Sequence, residues 1–600
     1  MDDRMRRMLL SGGAEPGRAE PPLEEPSDLR PDRSVPYNPQ GKSSGGERRD
    51  AFGSGQGGSS VAQAVLNLDA DEDEFEEDAG WVPPPTVAKQ ESGRDTTGVF
   101  MLGSAILLIA LIAVLPRIYF LYQLTDTNVL FPSWSNDTWH RWQIAYLSKE
   151  IGFSHGFLRL WDLKGLEYYW GILHPLMLDG LFALTGSVDV MIMRWLTIVA
   201  GVVNIVFVFL LGRRFWNTSV GVAAALLTIF NPIVIFNDPS GMVEPLGFAF
   251  LLAGIYFFPK RATLAGILLA LAAMSRAEAW LFSAGLIMAA MLSREPTGRK
   301  MLIGLGWGLP MVAYMKYLLD QTGNAIYPIY WNFLANAAGQ WEFRTDFTDY
   351  QLAARPVLGL IFAASLGLAI WTLWKRPRWY LLFLLGFGTT AFVSGFIGLT
   401  HYLKSYEPWF WLTRFFVFPY IFAGFLLSAL ALGWLPKKIR LWGKLQLGWL
   451  VIIPALIGMQ ILWPSVLYDV DQGYTRRTSV LELEADGEYI GGAYTGGSVL
   501  IPEGIPQLTY ALGRYSGIPG SKLIGQMYGP DYYFPGGDAL GHWDVVGPQM
   551  WEWFDGEEVR LLLVRIGDER FERMIAERPE RFDHYGSVAE FGLEVYQVKL

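Results

Sequence analysis

Between residues 98 and 463 the chain is a succession of apolar runs, most of them near the roughly 20 residues a helix needs to cross a bilayer. Eleven can be drawn, at 98–121, 188–211, 218–236, 241–258, 262–276, 278–293, 301–319, 353–374, 379–400, 410–434 and 446–463. Lipid offers no hydrogen bonds, so backbone inside it must satisfy itself, and a helix does so within one segment. The pattern therefore predicts a polytopic helical membrane protein. Composition agrees: 51% of the residues are hydrophobic, 18% are charged, and 24 are Trp, which favours the membrane interface. There is no Cys, which excludes disulfides, zinc–thiolate sites and iron–sulfur clusters.

Loop charge orients the helices. Every second loop is basic: Arg213 and Arg214; Lys260 and Arg261; Arg294, Arg299 and Lys300; Lys375, Arg376 and Arg378; Lys437, Lys438, Arg440 and Lys444. Glu295 is the one acid among them. The alternate loops are mixed or acidic, with Asp320, Glu342, Arg344, Asp346 and Asp349. The positive-inside rule makes the basic loops cytoplasmic. The long first loop (122–187) and the C-terminal segment are then extracytoplasmic. The apolar stretch 168–186 is read as a helix lying on or dipping into the membrane.

Residues 1–97 are rich in Gly, Pro, Ser and charge, carry the acidic run Asp69–Asp78, and predict a disordered cytoplasmic tail. The apolar stretch in MDDRMRRMLLSGG is too short for a signal peptide. From 470 to 600 Gly-rich turns separate strand-like runs at 498–502, 559–566 and 593–600, with a helix-like segment at 568–580. The expected fold class is mainly α: about 11 transmembrane helices over 98–469, a large first external loop, and a C-terminal extracytoplasmic α/β domain. No Walker loop or dinucleotide fingerprint occurs, and nothing points to a nucleic-acid partner. The net charge of −10 comes largely from the two ends.

Charge inside hydrocarbon is expensive and usually functional. Arg117, Arg194, Asp238, Glu244, Arg276, Glu278, Lys316 and Arg414 all fall toward the extracytoplasmic ends of their segments. Snorkelling at helix ends suits Lys316 and Arg117, but it does not explain a one-sided set. A transporter or flippase for lipid-linked sugars is the alternative reading, yet transporter sites gather near the midplane on broken helices. Charge gathered at one surface suits an enzyme that meets a membrane-borne substrate at the lipid–water boundary.

Just past the first apolar run stands SNDTWHRW (Ser135 to Trp142), with Asp137, His140 and Arg141. Asp137 can be a helix cap or a functional acid. Two further segments stand out, HPLMLDGLFALTG (His174 to Gly186) and NPIVIFNDPSGMVEPLGFAFLLAGIYFF (Asn231 to Phe258), and a third is LTRFFVFPY (Leu412 to Tyr420). With the acid after the first helix, they resemble the GT-C superfamily of polytopic glycosyltransferases, in the branch of protein O-mannosyltransferases and lipid A aminoarabinose transferases. The resemblance covers roughly residues 98–470.

The resemblance implies transfer of a hexosyl or pentosyl unit from a polyprenyl-phosphate-linked donor in the bilayer. The acceptor, a protein, lipid or glycan, would stand on the extracytoplasmic face. Asp137 would be the base that takes the acceptor's proton. Arg414, with Arg276, Arg141 and Arg194 behind it, would bind the donor phosphate, where a guanidinium contacts two oxygens at once. Asp137 with Asp238, or with Glu244, would hold a divalent ion, Mg²⁺ or Mn²⁺, although the superfamily's D-x-D is missing. His140, His174, Glu244, Glu278 and Glu407 would position substrate. Plainer roles stand beside these. His140 shares a helix face with Asp137 and suits a structural hydrogen bond. His174 suits a cap, Glu278 a counter-charge for Arg276, and Glu407 a solvated loop.

Overall fold

The structure, a computed structural model, describes residues 96–123, 129–134, 137–152, 171–332, 355–377, 379–403, 414–434, 440–441, 445–473, 475–502, 505–526, 532–533, 542–543 and 548–599. Where it describes the eleven apolar stretches they are mainly helical, with breaks at 230–231 and 241–243 and at the ends of several of them. The chain is a mainly helical polytopic membrane protein with a small C-terminal sheet. Among the described residues six helices are long and apolar enough to span a bilayer: Phe100–Tyr122, Val190–Phe215, Thr297–Thr322, Arg355–Lys375, Tyr380–Leu399 and Val417–Trp434.

One further helix pair, Thr218–Ile229 and Pro232–Ser240, is long and apolar enough only when taken together, and it is turned by 61° at the break. Pro232 has no N–H for a continuous helix, and Asn231 caps the restart by accepting from the amides of Ile233 and Val234. Glu244–Phe257, Ala262–Ser275 and Ala277–Met291 have only 14, 14 and 15 residues. At ~1.5 Å per residue they are shorter than the hydrocarbon core. The stretch at 168–186 holds Leu173–Thr185, with 13 residues too short to cross alone.

The basic loops meet at one end of the bundle. Trp216 stacks on Trp379 at 5.8 Å and meets Trp434 edge-on at 6.0 Å. Arg214 donates to the Tyr256 carbonyl, and Glu295, the acid among these loops, pairs with Arg299 at 2.7 Å. The Tyr380 ring stands beside Ser293 and Arg376. The charged ends gather at the opposite end, where two segments outside the bundle join them. Strand β1 (Val129–Trp134), from the first long loop, pairs antiparallel with β2 (Thr475–Ser479), which follows the last helix. The loop and the C-terminal segment therefore share one face.

The C-terminal sheet contains β3 (Ser498–Ile501), β4 (Leu523–Gly525), β5 (Val559–Arg565), β6 (Phe582–Val588) and β7 (Leu593–Val598), in the order β6-β7-β5-β3-β4. β3 runs parallel to β4 and β5, whereas β7 is antiparallel to both its neighbours. The central strands read as near-continuous apolar runs because both faces are covered. Leu500, Leu562 and Val564 pack against Trp551, Phe554, Phe571 and Met574 of two outer helices, Pro548–Gly556 and Glu569–Glu577. Val499, Ile501, Leu561 and Leu563 belong to the core that includes Trp139 and Trp142 of the first loop.

Candidate functional site

SNDTWHRW opens a helix, Asp137–Ile151, buried on every side from Thr138 to Ser148. Its apolar spacing predicts one buried face. The other face is covered too, because the C-terminal domain lies over it. Trp139 and Trp142 pack on Tyr510 at ring separations of 5.3 and 4.8 Å. Gln143 Nε2 donates to Thr509 Oγ1 at 2.7 Å, and Trp142 Nε1 to the Val188 carbonyl at 2.7 Å. His140 Nδ1 stands 3.2 Å from Gln143 Oε1, while the Asp137 side chain, with which its spacing had paired it, lies outside the described residues. Thr138 Oγ1 donates to the Ser240 carbonyl at 2.9 Å. The first turn of this helix is thereby tied to the turn between Asp238 and Glu244.

Arg276 is the hub beside that loop. Its backbone is extended at the break between the Ala262–Ser275 and Ala277–Met291 helices. Its guanidinium donates to both oxygens of Glu278, at 3.2 and 2.9 Å, and pairs with Glu244 as well. Glu244 is 1% exposed and Arg276 11%. A buried cation with two acids carries net negative charge unless further positive groups lie close. Gly247 leaves room for the Arg276 stem, since a Cβ there would stand 3.3 Å from Cδ.

The Gly171–His174 segment crosses this turn. Gly171 has φ +104 and rests on the Met274–Arg276 backbone, a left-handed conformation and a close approach that both require glycine. His174 is fully buried, and among the described residues neither ring nitrogen has a hydrogen-bond partner. Burial and the neighbouring Arg141 push its imidazole down to about 3, while Glu244 acts the other way. His174 is therefore neutral at physiological pH, and Arg141, Glu244, Arg276, Glu278 and His174 form one neighbourhood.

The remaining expectations separate from it. Arg194 is fully buried near Tyr510 and Asp189, beneath the C-terminal domain. Lys316 is exposed and pairs with Asp320 at 2.9 Å, as a snorkelling residue would. Snorkelling does not suit Arg117, which is fully buried and donates through Nε to Asp238 Oδ2 at 2.7 Å. This pair joins the first helix to the turn at Asp238–Ser240, and spacing along the chain gives no sign of it. Asp137 opens its helix and Arg414 opens a 3-10 turn, Arg414–Phe416. Their side chains, and all of Glu407, lie outside the described residues.

Gly201 faces the Asp238 carboxylate so closely that a Cβ would occupy its place. Gly201→Ala is expected to push Asp238 off Arg117 and strand a buried cation, costing about 3–5 kcal/mol. Thermal unfolding in detergent checks this, and a wild-type melting curve would refute it.

A divalent ion fits the described side chains poorly. Asp238 is engaged by Arg117, while Glu244 and Glu278 are engaged by Arg276. Among the described residues no group of three or more His, Asp or Glu could hold a metal.

No protein-family model and no curated protein matches the chain. Solved structures do. The apo oligosaccharyltransferase of Archaeoglobus fulgidus aligns at 12% identity and a TM-score of 0.45, over 78% of this chain and 69% of that one. AglB from the same organism, in complex with an inhibitory peptide and a dolichol-phosphate, aligns at 11% and 0.47, over 79% and 70%. ArnT from Cupriavidus metallidurans bound to undecaprenyl phosphate aligns at 11% and 0.43, over 84% and 98%. These neighbours are membrane glycosyltransferases of the GT-C superfamily.

Proposed function

We propose that the chain is an integral-membrane glycosyltransferase. It moves a sugar from a polyprenyl-phosphate-linked donor to an acceptor on the extracytoplasmic face. The observation that carries this reading is the convergence of Arg141, His174, Glu244, Arg276 and Glu278, drawn from four separate stretches of chain, at the end of the bundle away from the basic loops. A lipid phosphate arriving through the bilayer would meet guanidinium groups there, within reach of an aqueous acceptor. The positive-inside rule makes the basic-loop end cytoplasmic and this end extracytoplasmic.

In this reading Asp137 takes the acceptor proton as its oxygen attacks the anomeric carbon, and the lipid phosphate leaves with the bond's electron pair. Arg276, Arg141 and Arg414 stabilise the departing phosphate. Arg194, under Tyr510, supports the C-terminal domain above them. Mg²⁺ or Mn²⁺ at Asp137 would supply further positive charge, but Asp238 is not free to share it.

The test incubates the purified protein, in membranes, with a panel of radiolabelled lipid-phosphate sugars. One of them should lose its label to an acceptor in the same membranes. A folded protein that discharges none of the panel would overturn the proposal.

A further inference from the structure

The apolar height of the bundle differs from one side to another. On the Ala277–Met291 helix, Leu281 and Met288 face outward and are exposed, followed by Leu292. Glu278 stands one turn before Leu281 on the same side and is 23% exposed, so a carboxylate closes this stripe at the Arg276 end. Arg294, in the basic loop, closes it at the other. Sixteen residues separate the two, at most about 24 Å at ~1.5 Å per residue. The Thr297–Thr322 helix packs alongside, with Trp307 Nε1 donating to Ser283 Oγ at 3.2 Å. It repeats the measure. Met301, Leu305, Leu309 and Val312 are exposed between Lys300 and the exposed Lys316, again sixteen residues and about 24 Å.

Other spans are taller. The exposed apolar residues of the first helix run from Phe100 to Tyr122, about 33 Å, and Arg355 and Lys375 end their helix about 30 Å apart. The hydrocarbon of a bilayer is also about 30 Å thick, so the short side lacks about 6 Å. Proteins meet such a deficit by snorkelling, by association or by thinning the bilayer. Lys316 has a stem long enough to snorkel. Glu278 has not, and it is held by Arg276, which is itself held by Glu244. A carboxylate left facing hydrocarbon is costly, whereas a few ångströms of thinning is cheap.

We infer that the side formed by the Ala277–Met291 and Thr297–Thr322 helices takes short-chain phospholipids as its neighbours and thins the bilayer, bringing the headgroup layer down to the Arg276 turn. The inference concerns the lipid around the turn and involves no sugar donor, so it stands or falls apart from the glycosyltransferase reading.

The chain has no Cys, so a single introduced cysteine can carry a nitroxide. Leu281→Cys and Val312→Cys each put one on the short side, and Leu108→Cys puts one on the exposed face of the first helix. Depth is read in dioleoyl- and dimyristoleoyl-phosphatidylcholine vesicles, from collision with oxygen against a nickel chelate. Leu281 lies three residues from Glu278, so thinning places its label about 5 Å below the headgroups in both lipids, and an unthinned dioleoyl bilayer places it at about 11 Å. The label at Leu108 should become shallower in the dimyristoleoyl vesicles, as the bulk bilayer does. Short-side labels that lie near 11 Å in dioleoyl vesicles, or that follow bulk thickness as Leu108 does, would overturn the inference. Labels shielded from both oxygen and nickel would overturn it in favour of a second copy covering this side. A folding failure at one position leaves the other to decide.

Discussion

Arg276→Ala should abolish binding of polyprenyl phosphate and cost the fold about 3–5 kcal/mol. Both effects have one cause. Glu244 is almost wholly buried and Glu278 largely so, and Arg276 is the cation that pairs with both. Without it two carboxylates face each other in a low dielectric, and an incoming phosphate meets repulsion instead of a fork of donors. The effects can be separated. Arg276→Ala combined with Glu244→Gln removes one of the stranded charges, so it should recover much of the melting temperature while phosphate binding stays lost. Recovery of both would mean that Arg276 serves the fold and has no part in donor binding.

Asp137→Asn should lower turnover by about 10²–10⁴-fold, the range a positioned general base supplies. Donor affinity should be unchanged, because asparagine keeps the shape and any capping oxygen at the start of the helix. A cap and a base thus give different results: loss of a cap alone lowers stability and leaves kcat near wild type. Single-turnover measurement with saturating donor checks this, and normal turnover would remove the base assignment.

Much of the architecture is legible in the sequence because the bilayer leaves so few solutions. Each apolar run from 98 to 463 had to be helical, and the five basic loops had to share a face, as the Trp216, Trp379 and Trp434 cluster shows for three of them. In the C-terminal segment the runs SVLI, VRLLLVR and LEVYQV form strands, and Asp568 caps the helix between the last two. The strands Leu523–Gly525 and Phe582–Val588 are not legible. The first has three residues, and the second, FDHYGSV, lacks alternation. Their neighbours in the sheet decide them, not their own pattern.

The site divides in the same way. One-sided placement of Arg276, Glu244 and Glu278 follows from sequence, because charge in hydrocarbon is too costly to scatter. Pairing does not. Arg117 and Asp238 lie 121 residues apart and Gln143 and Thr509 lie 366 apart, and no local rule links residues at such separations. The opening motif shows it most clearly. The sequence by itself placed the start of a helix at one of Ser135, Asn136 and Asp137, just past the first span. Only the tertiary structure decided that this helix is enclosed, with Thr138 held by the turn at Ser240 and Trp139 and Trp142 by Tyr510. Periodicity records which residues avoid water, whereas the identity of the neighbour that excludes it is settled by long-range packing.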